Sequence, residues 1–212
     1  MIEEAIRMRE IEEIVHFTTL NGLIGILDSR FLRSRQRIAD DFRLEFVLKL
    51  NSPIRRDPEW LDYVNLSITN INTEFFEISS QKWHQDVGWI IMSFDPEVLT
   101  HDGVTFTSTN NVYHKSVLRG VGVAGLNMMF LPEVEWGYYG AKKRRTKNHR
   151  PQDTTDIQAE VLYPAEVSIE HLRKVYVSCN DDQDNVCSIA TALGVMTFDV
   201  VVEPEKFEVM RK

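Results

Sequence analysis

A mixed α+β domain is the fold class that the 212-residue sequence predicts. Three observations carry that expectation. Short stretches of β-branched and aromatic residues recur along the chain. Helix-period segments fall between only some of them. No regular strand–helix–strand rhythm joins the two kinds, as a parallel α/β sheet would require. No internal repeat, low-complexity tract or linker divides the chain, so residues 1–212 read as one domain.

The elements follow in order. Residues 14–18 (IVHFT) read as a strand after a charged lead-in. Thr18 or Thr19 can cap the next segment. There Leu20, Leu23, Ile24 and Leu27 fall at i, i+3, i+4 and i+7, one face of a helix closed by residues 28–30. Residues 33–58 are charged and proline-interrupted, a short helix plus loop. Residues 63–68 (YVNLSI) alternate apolar and polar, as a half-buried strand does. Residues 88–94 (GWIIMSF) are nearly continuously apolar and predict a central strand, ended by Asp95-Pro96-Glu97. Residues 104–107 predict a further strand, with a turn-prone STNN behind it. The glycines of residues 112–131 weaken a helix, and that stretch reads as a short helix followed by irregular chain. Residues 156–163 (DIQAEVLY) predict a strand carrying Glu160, with Gln158, Glu160 and Leu162 on one face. Residues 174–178 predict another strand, Asp184 or Asn185 caps a helix ending at Gly194, and residues 197–202 form the last strand.

Composition narrows the function classes. No apolar run reaches the roughly 20 residues that span a bilayer, and the N-terminal MIEEAIRMREIEE lacks the apolar stretch of a secretory signal. A cytoplasmic protein with no membrane partner is the expectation. Cys179 and Cys187 are expected to be buried free thiols. The net charge of −8 argues against indiscriminate coating of DNA. Residues 142–150 (KKRRTKNHR), however, hold six Lys/Arg and no acid, and without those six the net charge becomes −14. One concentrated basic strip on an acidic body suits either a directed grip on an anion or a solvated loop.

The motifs GxxxxGK[ST], HExxH and GxSxG are absent, so P-loop NTPases, zincins and α/β-hydrolases lose support. His84, His101, His114, His149 and His171 show no metal spacing with the cysteines, and no metal is expected. Two placements remain. His16 sits near the end of a strand just ahead of a helix start, where it can reach a ligand or simply be satisfied by backbone. Glu160 forms a Gln-x-Glu pair behind a basic, aromatic-led loop, which suits catalysis or an exposed edge strand.

The order of IVHFTTLNGLIGIL (14–27), DYVNLSI (62–68), FTSTNN (106–111) and DIQAEVLYP (156–164) resembles the ADP-ribosyltransferase superfamily. More narrowly it resembles the DarT family of toxins that ADP-ribosylate bases in single-stranded DNA. The resemblance implies an ADP-ribosyltransferase-like fold with split, mixed sheets and flanking short helices. It implies NAD⁺ as co-substrate, Glu160 as catalytic carboxylate, and His16, Phe17, Thr18, Asn21 and Ser67 around the dinucleotide. Glu160 would steady the sugar as nicotinamide leaves, as carboxylates do in glycoside hydrolysis. Trp136, Tyr138, Tyr139, Lys142, Lys143, Arg144, Arg145 and Lys147 would grip the single strand, aromatics stacking on bases and cations tracking phosphates; such a loop would be only partly ordered without DNA. A macrodomain antitoxin is the partner that family analogy implies. One departure stands out. Thymine-modifying members carry a catalytic arginine after the second of these strands, and residues 69–73 (TNINT) have none. That favours guanine as the modified base, with Asn72, Arg55 or Arg56 as substitutes for the arginine. The alternatives are an RNA-directed transferase, such as the NAD-dependent RNA 2′-phosphotransferases of the same superfamily, and a non-catalytic nucleic-acid-binding module.

Overall fold

The computed structural model describes residues 1–41, 57–83 and 87–208. Within them one mixed sheet runs β12 (Asp199–Val202), β11 (Leu172–Val177), β4 (Trp89–Phe94), β1 (Ile14–Thr19), β3 (Tyr63–Ile68), β9 (Val161–Pro164), β5 (Thr105–Thr107), β6 (Arg119–Val121). Two strand pairs stand apart, β2 (Phe31–Arg33) with β10 (Glu166–Ser168) and β7 (Glu133–Trp136) with β8 (Ala141–Arg144). The β11–β12 pair is parallel and the other pairs are antiparallel. The α+β expectation holds.

The sheet is divided near its middle. β1 pairs with β4 from Ile14 through Thr19, yet meets β3 only through Ile14–Ile68 and Val15–Ser67. Where that ladder stops, the ring of His16 takes over, with Nδ1 2.9 Å from the backbone oxygen of Asn65. A side chain thus stands where a backbone pair would otherwise continue, and this is the split that the resemblance implies.

Strand alternation sorts the core into two faces. On one, Ile14, Leu66, Ile90, Met92 and Phe94 pack with buried residues of α1 (Ile2–Met8), α2 (Leu20–Ser29), α5 (Gly122–Met128) and α6 (Asn180–Ala192). On the other, Val15, Ile91 and Tyr176 pack with Ile71 and with Phe76 of α4 (Thr73–Ile78). α2 forms where its apolar period predicts. The Thr19 hydroxyl accepts from the Gly22 amide at 3.0 Å, and Leu23 and Leu27 are fully buried. Each such leucine contributes about 1.5–3 kcal/mol. Arg30, at φ 66°, ends the helix in the left-handed region. The short α3 (Arg35–Asp40) is the helix expected within residues 33–58.

Four expectations need correction. Residues 112–131 run the other way round, with turns, then β6, then α5, because Gly122 (φ 60°) turns the chain out of the strand into the helix. α6 begins at Asn180, ahead of Asp184 and Asn185, and Cys179 stands at its N-cap without a capping side-chain bond; Gly194 (φ 66°) follows its end as expected. Cys179 and Cys187 are free thiols, but Cys179 is exposed and Cys187 only partly covered, since both lie on the outer side of that helix region. β9 starts at Val161, so Glu160 lies between a turn at residues 156–159 and the strand, not in the middle of a strand. The cause is Asp156, whose carboxylate accepts from the Gln158 amide at 3.1 Å while its carbonyl accepts from the Ala159 amide at 3.0 Å.

Candidate active site

Glu160 emerges from that turn at the mouth of the split. Its backbone is fixed first: the Thr107 hydroxyl accepts from the Glu160 amide at 2.9 Å, and the Thr107 amide donates to the Glu160 carbonyl at 2.9 Å. Its carboxylate is fixed from two sides. Asn65 Nδ2 donates to Oε1 at 2.8 Å, and the Asn111 amide donates to Oε2 at 2.7 Å. The β3–β9 ladder ends at the Leu66–Val161 pair, with Ser67 the next residue along β3 and Glu160 the residue just before β9.

Asn65 also joins the two candidates that sequence picks out, because its carbonyl receives the ring of His16. A carbonyl only accepts, so His16 Nδ1 carries the proton in that bond. Burial pushes the His16 pKa below its ordinary value, against the opposing pull of the Asn65 bond. The neutral ring keeps Nε2 as an acceptor. His16 and Glu160 are therefore two hydrogen bonds apart through one residue.

Asn111 is anchored in turn. Its Nδ2 donates to Asp57 at 3.1 Å, and Arg119 donates to its side-chain and backbone oxygens at 2.7 and 3.0 Å. Arg119 also lies over the Trp60 ring at 5.6 Å. Thr107, Ser108, Thr109 and Asn111 are all fully buried. Sequence alone marks this stretch as a turn and does not single out Asn65, Asn111, Asp57 or Arg119. The available signal is an unbroken run of small hydrogen-bonding residues, TSTNN, that starts within a strand and continues behind it.

The other predicted residues fall as follows. Phe17 packs among Phe75, Phe76 and Trp89 with ring centroids 5.3–5.9 Å away, and its ring stacks beside that of His16 with centroids 6.4 Å apart. Thr18 lies beside the first turn of α2, where a Cβ on Gly22 would come within 2.2 Å of its hydroxyl. Asn21 is exposed in that same turn. Asn72 is committed elsewhere: its side chain caps α4 by accepting from the Phe75 amide at 3.1 Å, so it does not replace the missing arginine. Arg55 and Arg56 lie outside the described residues, as does His84.

The start of the basic strip, residues 142–144, lies in the second strand of the β7–β8 hairpin. Lys142 and Arg144 both bind Glu133 on the neighbouring strand, at 2.5 and 2.7 Å. Arg145 turns inward and donates to the backbone oxygens of Arg150, Pro151 and Asp153. Lys147 is exposed. Lys143 lies 4.5 Å from the Trp136 ring and 3.7 Å from Glu74, and Glu74 accepts from Gln158 at 2.7 Å, two residues before Glu160. Trp136 and Tyr138 pack edge-on against Tyr113, two residues past Asn111. Tyr139, at the tip, is 96% exposed. The structure thus brings the hairpin to the Glu160 side of the molecule.

Two clefts open elsewhere. One of about 640 Å³ is lined by Arg33, Arg37, Asp41 and Asp62, and one of about 300 Å³ by Thr69, Asn70, Arg150 and Lys206. Neither includes His16 or Glu160. Among the described residues no group of His, Cys, Asp and Glu is arranged to hold a metal, and no helix is long and apolar enough to cross a membrane.

The α+β sheet is thus split at its middle, with an anchored glutamate and a half-buried histidine across the gap, the arrangement expected of an ADP-ribosyltransferase. The chain belongs to the DarT family: the family model described as "ssDNA thymidine ADP-ribosyltransferase, DarT" matches residues 15–208. No curated protein matches it in sequence. Among solved structures it is similar to the DarT of Thermus sp. 2.9 in complex with NAD⁺, at 15% identity and a TM-score of 0.65, covering 94% of this chain and 98% of that one. The same Thermus DarT with ADP-ribosylated single-stranded DNA gives 14% and 0.65, covering 94% and 97%. DarTG of Thermosipho africanus in complex with ADP-ribose gives 16% and 0.57, covering 92% and 51%. At these identities the likeness is one of fold.

Proposed function

We propose that this protein transfers ADP-ribose from NAD⁺ to a base of single-stranded DNA, with Glu160 as the catalytic carboxylate. The observation that carries the reading is the Glu160 carboxylate held on both oxygens and linked through Asn65 to His16. In the reaction the bond between ribose C1′ and nicotinamide breaks and the electron pair leaves with nicotinamide. A nitrogen of the base forms the new bond to C1′, and its proton passes to Glu160 or to water. Glu160 orients a ribose hydroxyl and faces the positive charge developing at C1′. His16 accepts from a hydroxyl at Nε2, with Thr18, Asn21, Ser67 and Phe17 lining the dinucleotide. Trp136, Tyr138 and Tyr139 offer stacking surfaces, and Lys142, Lys143, Arg144, Arg145 and Lys147 a cationic edge. A base modified on its pairing edge has to be unpaired, so single strands are the substrate.

Two observations bear on the base. The family's description supports thymine. The arginine-free segment 69–73 supports guanine, although Arg119 supplies a guanidinium to the Asn111 side of Glu160 from a different strand. With a guanidinium present there, we favour thymine. Toxin action in the cytoplasm, opposed by a macrodomain antitoxin, is the accompanying reading, and the fold likeness to a DarTG chain supports it. Nucleoside mass spectrometry after incubation with NAD⁺ and four homopolymer-rich DNA strands, with matched RNA, decides among these. An adduct on thymidine alone is expected. An adduct on guanosine reverses the base, one on RNA alone reverses the nucleic acid, and none with any strand refutes the activity.

A further inference from the structure

We infer that Asn65 is a positioning residue for this reaction, a deepening that rests on the function proposed above. Its two polar ends serve different candidates: the side-chain amide holds Glu160 Oε1 at 2.8 Å, and the backbone carbonyl holds His16 Nδ1 at 2.9 Å. Asn65 lies on β3 at the point where β1 and β3 stop pairing, so it is the residue through which the two halves of the split sheet hold the acid and the histidine in register. Tyr63, Asn65 and Ser67 point away from the core that buries Val64, Leu66 and Ile68, so apolar packing does not demand an asparagine here. What demands it is a donor aimed at the carboxylate. With Asn111 holding Oε2, the carboxylate plane is set before substrate arrives.

Side-chain substitutions leave the carbonyl bond to His16 in place, which isolates the arm to Glu160. Asn65→Leu keeps the volume and removes the donor. Its kcat is expected to fall about 10- to 100-fold with KM for NAD⁺ changed less than about threefold, the mark of lost orientation as opposed to lost binding. Asn65→Asp places a second carboxylate against Glu160, and two such groups share a proton. Its activity relative to wild type should recover as pH is lowered, which a merely structural role would not produce. A third readout needs no turnover. Asn65→Asp should lower Tm by several degrees at neutral pH, and Asn65→Asp combined with Glu160→Gln should restore most of it.

Wild-type kcat in Asn65→Leu, or a KM rise that accounts for its whole loss, overturns the proposal. So does an Asn65→Asp variant whose Tm is unchanged or not restored by Glu160→Gln. If wild type consumes no NAD⁺ while the Tm pattern appears, the function has failed and with it the positioning role, but the contact stands. The two failures are thereby told apart.

Discussion

Among single residues, His16 owes its protonation state to one bond and one environment. Nδ1 must donate to the Asn65 carbonyl, and burial lowers the pKa of the ring below its ordinary value of 6.5. The unfolded chain then binds more protons than the folded one between the folded pKa and about 6.5, so stability rises with pH across that window. It is fully present above about pH 6.5 and is lost as pH falls toward the folded value. His16→Gln removes this titration, and Tm measured from pH 7.5 down to 5 should decline less in the variant than in wild type. A parallel decline in both would place the effect elsewhere. His16 is conspicuous in sequence as a polar residue on an otherwise apolar strand, and Glu160 as the acid of a Gln-x-Glu pair behind the basic loop. Asn65 and Asn111 are not, since an asparagine in an alternating strand or a turn-prone run looks like solvent decoration until its partner is known. Contacts across 95 and 49 residues of chain carry no local signature.

Elements show a different mixture. β1, α2, β3 and β4 follow from period and capping alone, because each buries one face and exposes or caps the rest. Removing the α2 cap with Thr19→Ala should cost about 1 kcal/mol in denaturant unfolding, without changing the m-value. The β7–β8 hairpin is hidden in sequence, since a dense run of basic residues reads as a loop; cross-strand pairing of Lys142 and Arg144 with Glu133 makes it a ribbon. That pairing bears on nucleic-acid affinity. Glu133→Gln releases both cations, so it should tighten single-stranded DNA binding and steepen its salt dependence by up to about 0.7 in slope for each further phosphate neutralised. Neutralising Lys142 and Arg144 should do the opposite. Unchanged slopes in both variants would remove the hairpin from the DNA interface. Tyr139→Ala, at the exposed tip, should weaken binding by about 1–3 kcal/mol if the ring stacks on a base, with the salt slope unaltered.

Across the molecule, Glu13 ties the start of β1 to the far half of the sheet. Its carboxylate accepts from Ser93 on β4 at 2.7 Å and from Tyr176 on β11 at 2.8 Å, and pairs with Lys206 near the C-terminal end of the described chain. Burial alone would raise its pKa, but the Lys206, Ser93 and Tyr176 bonds outweigh that and hold it below its ordinary value of 4.5. The stability it contributes is therefore present above about pH 4.5 and lost as pH falls through the lower folded value. Glu13→Gln removes the charge that pairs with Lys206 and should cost about 1.5–3 kcal/mol at pH 7 in denaturant unfolding, the range for hydrogen bonds to a charged group. The penalty should shrink in acid; a pH-independent penalty would rule out charge as its source. Fold class is legible because many short strands and few helices leave little else, whereas the split in the sheet is implied by resemblance and depends on where one histidine ring interrupts a ladder.

In the proposed reaction the Glu160 carboxylate acts as nicotinamide departs, while the rest of the site binds the dinucleotide. Nicotinamide release, followed with saturating NAD⁺ and single-stranded DNA for wild type and Glu160→Gln, separates these two roles. Wild type should release nicotinamide in step with DNA modification, and Glu160→Gln should be slower by about 10²–10³-fold while binding NAD⁺ with similar affinity. Release at the wild-type rate by Glu160→Gln would refute the catalytic role of this carboxylate.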